Sequence, residues 1–555
     1  MPDRPVAGKP TATFRAAKVA VGLFLIWVCA TAVNLTKAVH IDDSAHLQIA
    51  RWITNNPLHP MSGVVVVRNA ASPIRDLHQP HLFFYLMAAV MWAFGESLIA
   101  LHLLVAAFTL IALVFFHLAA AHAAPRHALF WTALFGLGPV FMPGQNIMTD
   151  IPVTALWCVF LWALVREVPG CRHYVFAALA AAVACLTKYT SLILLPVLLL
   201  AIIVRRDWRY LWVLVVPLLA LLGWSLFNYY DYGGVHLLGR PRAWLPLWLL
   251  MERTVLWILG LGAASPFVVA FLSELARRRT TRPLLLAGLA GAALMLIWRL
   301  RPEHRLFAHV LLRVGFMANG CLLIAVMANL VAGGVRNNKN DTPPHRSCHL
   351  ILGVTMLGAF LFVVAFAPFA AIRHILPATP AILLLLAHHT VTIIPHRLWR
   401  YAALTATIGL GLILAISDWY YADVYRKHAE IIVARFGKQR TIWFLGSWGW
   451  EWYARAAGMQ QYVVKHTKPQ EGDLLVTAVF VDAPPIPPAL VHRLKRVETI
   501  PVPSRPCTYV RTAWPCAGYY SYNTECLPWT ISQMPIEIFE VFEVQGEPAA
   551  PPPCP

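Results

Sequence analysis

The sequence predicts an α-helical polytopic membrane protein of about thirteen spans, followed by a mixed α/β domain outside the membrane. Three observations predict it. Of 555 residues, 59% are hydrophobic and 13% charged, against about 25% charged in an ordinary soluble domain. Apolar stretches recur from residue 19 to residue 417, many of them long enough for ~30 Å of hydrocarbon. Basic residues gather in the short loops between them: Arg205, Arg206 and Arg209; Arg277, Arg278, Arg279 and Arg282; Arg397 and Arg400. That distribution orients spans with their basic loops in the cytoplasm. It also accounts for the net charge of +19. With no basic stripe interleaved with aromatics, no nucleic-acid partner is expected.

The chain begins with a cytoplasmic segment, 1–18, carrying Arg4, Lys9, Arg15 and Lys18. The first apolar run, 19–36, reads as a retained signal-anchor; a signal peptide cleaved near Ala30 and Ala32 is the competing reading. A first external loop spans 37–97. Within it Leu82–Phe94 is apolar, but at ~1.5 Å per residue it reaches only about 20 Å. Counting it as a span would place Arg205–Arg209 and Arg277–Arg282 outside, so it is expected to lie on or dip into the outer surface. Further spans are expected at 98–121, 128–143, 151–165, 174–187, 189–204, 210–227, 254–273, 284–298, 314–335, 350–372, 375–395 and 401–417. The membrane module thus covers 19–419.

Residues 420–555 bring charges, prolines and no spanning run, and odd parity puts them outside. Asp473–Asp482 and Ile536–Val544 read as buried strands, with proline-rich loops or ends at Ala483–Pro488 and Ala549–Pro555. Cys507, Cys516, Cys526 and Cys554 suit one or two disulfides in an oxidising compartment, with the pairing open. Their spacing is not that of a zinc site. No internal repeat, P-loop or dinucleotide fingerprint is present.

This topology collects charge on one face: Asp42, Asp43, His78, His81, Asp150, Lys188, Arg240, Arg242 and Arg373. Carboxylates at a bilayer edge must be solvated, paired or used. Bland roles compete with functional ones. Asp43 or Ser44 could cap a helix over Ala45–Ile53, and Asp150 could serve a helix N-terminus. Lys188 could snorkel from a helix end. Arg240 and Arg242 read as plain loop cations.

Five features resemble the polyprenyl-phosphate-dependent glycosyltransferases of the GT-C superfamily, the group of glycosyltransferase family 39 with its protein O-mannosyltransferases and bacterial relatives. The first is the acidic pair Asp42-Asp43 after the first span, followed by His46-Leu-Gln-Ile-Ala50-Arg51-Trp52. The second, His78-Gln79-Pro80-His81-Leu82, is similar to the family's His/Lys-Pro-Pro-Leu motif, with His81 in place of the second proline. Next come Met148-Thr149-Asp150-Ile151-Pro152 and Leu186-Thr187-Lys188-Tyr189-Thr190. Arg373-His374-Ile-Leu-Pro377 resembles the Arg-Tyr-Leu-Leu-Pro element. The tail segment Trp443–Tyr453 is similar to a segment of bacterial members.

The resemblance implies a transferase in the cell's inner membrane, multi-pass, with an extracytoplasmic C-terminal domain. It would move a sugar from a polyprenyl-phosphate donor to a protein hydroxyl, a lipid or an envelope glycan on the outer side, with membrane lipids around it. It implies Asp42 as general base with inversion, and Asp43 and Asp150 as further catalytic carboxylates. It places His78, His81, Lys188, Arg373 and His374 on the substrate, with Arg373 on the phosphate. His78 and His81 with Asp42 or Asp43 could take a divalent metal, but no cofactor and no metal ligand is assigned. Readings from other classes are a secondary transporter, which would hold its charges at mid-membrane on broken, repeated helices, and a non-catalytic protein of the same fold.

Overall fold

The computed structural model describes residues 12–546, apart from 68, 78, 167, 240–244, 269, 272–281, 299–306, 337–342, 395, 438–439, 464–465 and 524–525. The fold class is the one the sequence predicts: a helical body with a C-terminal sheet. Among the described residues, six helices are long and apolar enough to cross a membrane, by length and composition: Leu98–Ala123, Trp208–Tyr232, Leu247–Ala264, His309–Gly334, Arg346–Phe366 and Arg397–Phe436. Seven shorter apolar helices accompany them, among them Ala16–Thr31, Asp150–Leu164, Cys171–Thr187 and Ile372–His388.

Uniform apolar runs became helices where they were expected; interrupted runs did not. The run 128–143 is helical only over Ala128–Gly136. Leu137–Thr149 then passes through turns and is buried throughout. Gly138, Pro139, Pro143 and Gly144 explain the stop: a proline lacks the amide a helix needs and pushes the residue before it out of helical geometry. Irregular backbone at this depth is tolerable because protein, not lipid, surrounds it. The run 375–395 is likewise broken, into 3-10 turns at Ile372–His374 and Leu376–Ala378 before the helix Thr379–His388. Leu82–Phe94 forms a 13-residue helix that buries Phe83, Phe84, Met87, Ala88 and Met91 and leaves Trp92 and Phe94 exposed.

The last helix departs furthest from expectation. It runs from Arg397 to Phe436, 40 residues, or roughly 60 Å at 1.5 Å per residue. The domain boundary expected at 419 therefore lies inside a helix. Tyr421, Val424, Tyr425, Ala429 and Ile432 recur at helical spacing and pack into the core of the tail, so one element serves both parts.

Beyond the first helix, a hairpin pairs β1 (Val64–Val67) with β2 (Ala70–Pro73). The tail carries β3 (Ile442–Leu445), β4 (Gln460–Gln461), β5 (Leu474–Ala478), β6 (Leu494–Val502), β7 (Val510–Arg511), β8 (Thr530–Ile531) and β9 (Glu537–Val544). Five of them form a sheet in the order β4-β3-β5-β9-β6. β3 is parallel to β4 and β5; β9 is antiparallel to β5 and β6. The helix Trp448–Ala456 makes the crossover from β3 to β4. The expected strands at Asp473–Asp482 and Ile536–Val544 are thus β5 and β9. Cys507, Cys516 and Cys526 are free thiols; Cys554 and the proline-rich end from 549 lie outside the described residues.

The tail is sewn into the helical body. Tyr519, Tyr520, Tyr522 and Leu527 belong to the body's own core. Tyr519 donates to the carbonyls of Pro139 and Val140, each at 3.0 Å, and Tyr522 to that of Leu256 at 2.8 Å. Backbone bonds Ile372 N to Tyr519 O and Tyr522 N to Ala370 O tie the same strap to the turn before Arg373.

Within the body, small residues let helices touch backbone to backbone. A Cβ on Gly262 would collide with the Phe316 carbonyl, and one on Gly320 with the Ile258 carbonyl. Gly262→Ala should therefore cost about 1–3 kcal/mol through overpacking, read as a lower thermal midpoint of the detergent-purified chain. An unchanged midpoint would mean that Leu247–Ala264 and Phe307–Arg336 are not in this close contact.

Candidate active site

Asp42 ends the loop after the first helix and precedes the helix Asp43–Asn55. Three anchors set that loop. The Lys37 ammonium, buried, meets Asp418 Oδ2 at 2.5 Å and Asn146 Oδ1 at 2.6 Å. The His40 ring lies edge-on between Tyr421 and Tyr520, and Tyr520 donates to Asp418 at 2.5 Å. Val39 N donates to the Tyr453 hydroxyl at 3.0 Å. So fixed, Ile41 takes φ +47°, a left-handed conformation that a β-branched residue avoids and that must be held by its surroundings. Asp42 then faces a cavity of about 630 Å³.

Arg373, 331 residues away in sequence, closes onto it: Nη2 donates to Asp42 Oδ2 at 2.7 Å. Its Nη1 donates to Met148 Sδ at 2.9 Å and stands 3.9 Å from Asp150 Oδ2. Lys188 Nζ reaches Asp150 Oδ1 at 2.6 Å. Two carboxylates and two cations thus form one chain of charge along the cavity wall. Burial pushes the Asp42 carboxyl up, but the Arg373 guanidinium outweighs it and holds the group below its ordinary value, ionised at neutral pH.

Asp43 is placed differently from its neighbour. It does not line the cavity; its Oδ2 accepts the His40 backbone amide at 3.1 Å, folding back on its own loop. Burial raises its carboxyl to about 8. That geometry suits a loop-bracing group rather than one that meets substrate. His81 and His374 both line the cavity. His81 is fully buried beside Phe84 and Trp224, and neither ring nitrogen has a hydrogen-bond partner among the described residues. His78, Arg240 and Arg242 lie outside the described residues. No group of three His, Cys, Asp or Glu able to hold a metal ion occurs among the described residues.

Several wall residues escaped the sequence reading. His46 donates from Nδ1 to the Ile147 carbonyl at 3.0 Å and packs on Phe84. Thr190 has a buried hydroxyl with no hydrogen-bond partner among the described residues. Ile193, Phe362, Val363, Phe366 and Phe369 make an apolar flank, and Phe366, the last residue of its helix, is 72% exposed. The tail contributes Ser447, Trp448 and Glu451. Glu451 accepts from Arg455 at 3.0 Å and from Gln48 at 3.4 Å, and burial lifts its carboxyl to about 7. Only Asp42, Asp150, Lys188, Arg373 and the histidines carried a local signal, charge or imidazole at the end of an apolar run.

Because Asp150 is almost fully buried, its removal strands the Lys188 ammonium and takes from Arg373 the more distant of its two carboxylates. Asp150→Ala is expected to cost about 3–5 kcal/mol, and adding Lys188→Met should recover part of that loss in denaturant unfolding. Strict additivity of the two substitutions would deny the coupling.

Residues 78–230 match the model of the family described as dolichyl-phosphate-mannose-protein mannosyltransferase. No curated protein matches the chain in sequence. Among solved structures, ArnT from Cupriavidus metallidurans bound to undecaprenyl phosphate superposes at TM-score 0.39 and 15% identity, over 84% of this chain and 94% of that one. The oligosaccharyltransferase AglB from Archaeoglobus fulgidus, in complex with an inhibitory peptide and a dolichol-phosphate, does so at 0.40 and 13%, over 81% and 64%. The arabinofuranosyltransferase AftD from Mycobacteria gives 0.40 and 14%, over 97% and 40%. These three likenesses are remote. The resemblance drawn from the motifs holds where the family model falls: over residues 78–230, which contain His81, Asp150 and Lys188, the chain is similar to the dolichyl-phosphate-mannose-protein mannosyltransferases.

Proposed function

We propose that this chain is a membrane glycosyltransferase that takes a sugar from a polyprenyl-phosphate donor and delivers it to an acceptor hydroxyl on the outer side of the membrane. The observation that carries the reading is the 2.7 Å contact of Arg373 with Asp42 at the wall of a cavity that is charged on one side and apolar on another. A polyprenyl phosphate has the same two halves. Its phosphate suits Arg373 and Lys188, and its chain suits the flank of Ile193, Phe362, Val363 and Phe366.

In the proposed reaction the acceptor oxygen attacks the anomeric carbon as the bond from that carbon to the phosphate oxygen breaks. The hydroxyl proton passes to Asp42 as the new bond forms. The electron pair leaves on the phosphate, where Arg373 and Lys188 stabilise the growing charge. Phosphate needs no proton to depart, so one carboxylate is enough and a single displacement inverts the anomeric centre. An arriving phosphate competes with Asp42 for Arg373, which frees the carboxylate to act as a base. Asp150 holds Lys188 and faces Arg373, a positioning role. The outward orientation of the tail rests on the basic-loop pattern.

Asp42→Asn should lower kcat for transfer from a labelled polyprenyl-phosphate sugar by about 10²–10⁴-fold with little change in donor KM; transfer at the normal rate would remove Asp42 as the base. Arg373→Gln removes the main opposition to the effect of burial on Asp42, so its pKa rises. The acid limb of the residual activity should accordingly move to higher pH, and a limb that moves lower or stays in place would argue that Asp42 is not the titrating group.

A further inference from the structure

Everything assigned so far uses the body of the protein, yet the cavity has a wall made by the tail. Ser447, Trp448 and Glu451 come from the first turn of the helix Trp448–Ala456 and all three line the cavity. Ser447 and Glu451 are each 2% exposed. The Ser447 hydroxyl has no hydrogen-bond partner among the described residues. A buried, unanswered hydroxyl on a cavity wall is an uncompensated cost unless a ligand supplies the bond.

The backbone here is forced into place. Gly446 and Trp448 both have positive φ, +127° and +65°. For tryptophan that is a costly conformation, of a kind that concentrates at ligand sites. Gly449 packs so closely on the Val39 carbonyl that a Cβ would collide with it, and Tyr453 bonds Val39 N. The turn is therefore docked directly on the loop that presents Asp42.

We propose that Ser447, Trp448 and Glu451 form the acceptor subsite and that the acceptor is a carbohydrate, a refinement that rests on the transferase reading above. An aromatic ring beside a carboxylate and a hydroxyl matches a sugar ring, with its apolar C–H face and neighbouring hydroxyl donors. A cationic acceptor is not called for, because Arg455 already neutralises Glu451. A peptide strand finds little to pair with at the adjacent hairpin, since Gln48 bonds both the amide and the carbonyl of Val66. The carboxylate that orders the acceptor is thus distinct from Asp42, which takes its proton.

The test uses the full chain in lipid nanodiscs. Saturation-transfer NMR is run with methyl glycosides of hexoses and pentoses, with short oligosaccharides, and with a Ser/Thr-containing peptide. At least one saccharide should bind saturably and the peptide should not. Glu451→Gln, which keeps the shape of the side chain, and Ser447→Ala should each weaken that binding at least tenfold, and Asp42→Asn should leave it within a factor of two. In transfer assays the Glu451 and Ser447 variants should raise acceptor KM with donor KM unchanged. Binding of the peptide alone, of none of the saccharides, or of a saccharide with unchanged affinity in both tail variants would overturn the proposal. Failure of the transferase reading shows elsewhere: saccharide binding would persist and respond to Glu451→Gln, while no sugar would move from a polyprenyl-phosphate donor.

Discussion

The pairing of Asp42 with Arg373 is the contact on which the rest of this architecture turns. It joins the first loop to a turn 331 residues later, and it draws in Asp150 and Lys188 so that two negative and two positive groups share one wall. Taking such groups out of water costs several kcal/mol per ion unless each finds its counterpart. The wall therefore cannot lose one member without exposing the need of another. It can, however, exchange one. An anionic ligand that offers phosphate oxygens to Arg373 and Lys188 would replace the carboxylates as their partner, and the displaced carboxylate is the one facing the cavity. Binding and activation of the base would then be the same event.

Holding that geometry needs a second, less visible set of contacts. Ile41 at φ +47° and Trp448 at φ +65° represent about 1–3 kcal/mol of backbone strain each. What offsets it is the buried knot of Lys37, Asp418, Asn146 and Tyr520 on one side and the close seat of Gly449 on Val39 on the other. The knot draws one group each from the first loop, the turns after Gly136, the last helix and the tail strap. Through this knot Asp42 is placed by side chains that never touch substrate in the proposed reaction.

How much of this was legible in the sequence follows from what kind of signal each part leaves. The run 98–121 is long and uniformly apolar, and hydropathy alone finds it. The run 128–143 is as apolar, but Gly138, Pro139, Pro143 and Gly144 decide its backbone, and an average over composition does not weigh them. The last helix was cut short at 417 because its pattern changes from all-round apolar to one-sided at the bilayer edge, where only the environment changes and not the helix. Asp42, Asp150, Lys188 and Arg373 stood out because a charge at the end of an apolar run is conspicuous. Asp42 was set apart from Asp43 by the family resemblance alone, since adjacent helical positions differ by about 100° in direction and only the folded loop says which one faces the cavity. Lys37 with Asp418, 381 residues apart, and Ser447 with Glu451 leave no local mark, because their meaning lies in tertiary contact.

The same contacts bear on whether the tail is a module at all. A domain that folds alone should bury its own core and meet its neighbour through a separable interface. Here the sheet packs on the end of a helix that begins at Arg397, while Tyr519, Tyr520 and Tyr522 sit in the helical body's core and donate to its carbonyls. Their strap also carries the backbone bonds that fix the turn before Arg373. Removing the tail would take away one wall of the cavity, the partner of the Lys37–Asp418 knot and the support of the guanidinium together. The charge cluster on the cavity wall is therefore a product of both parts: the helical body supplies the charges, and the tail helps to hold them in place.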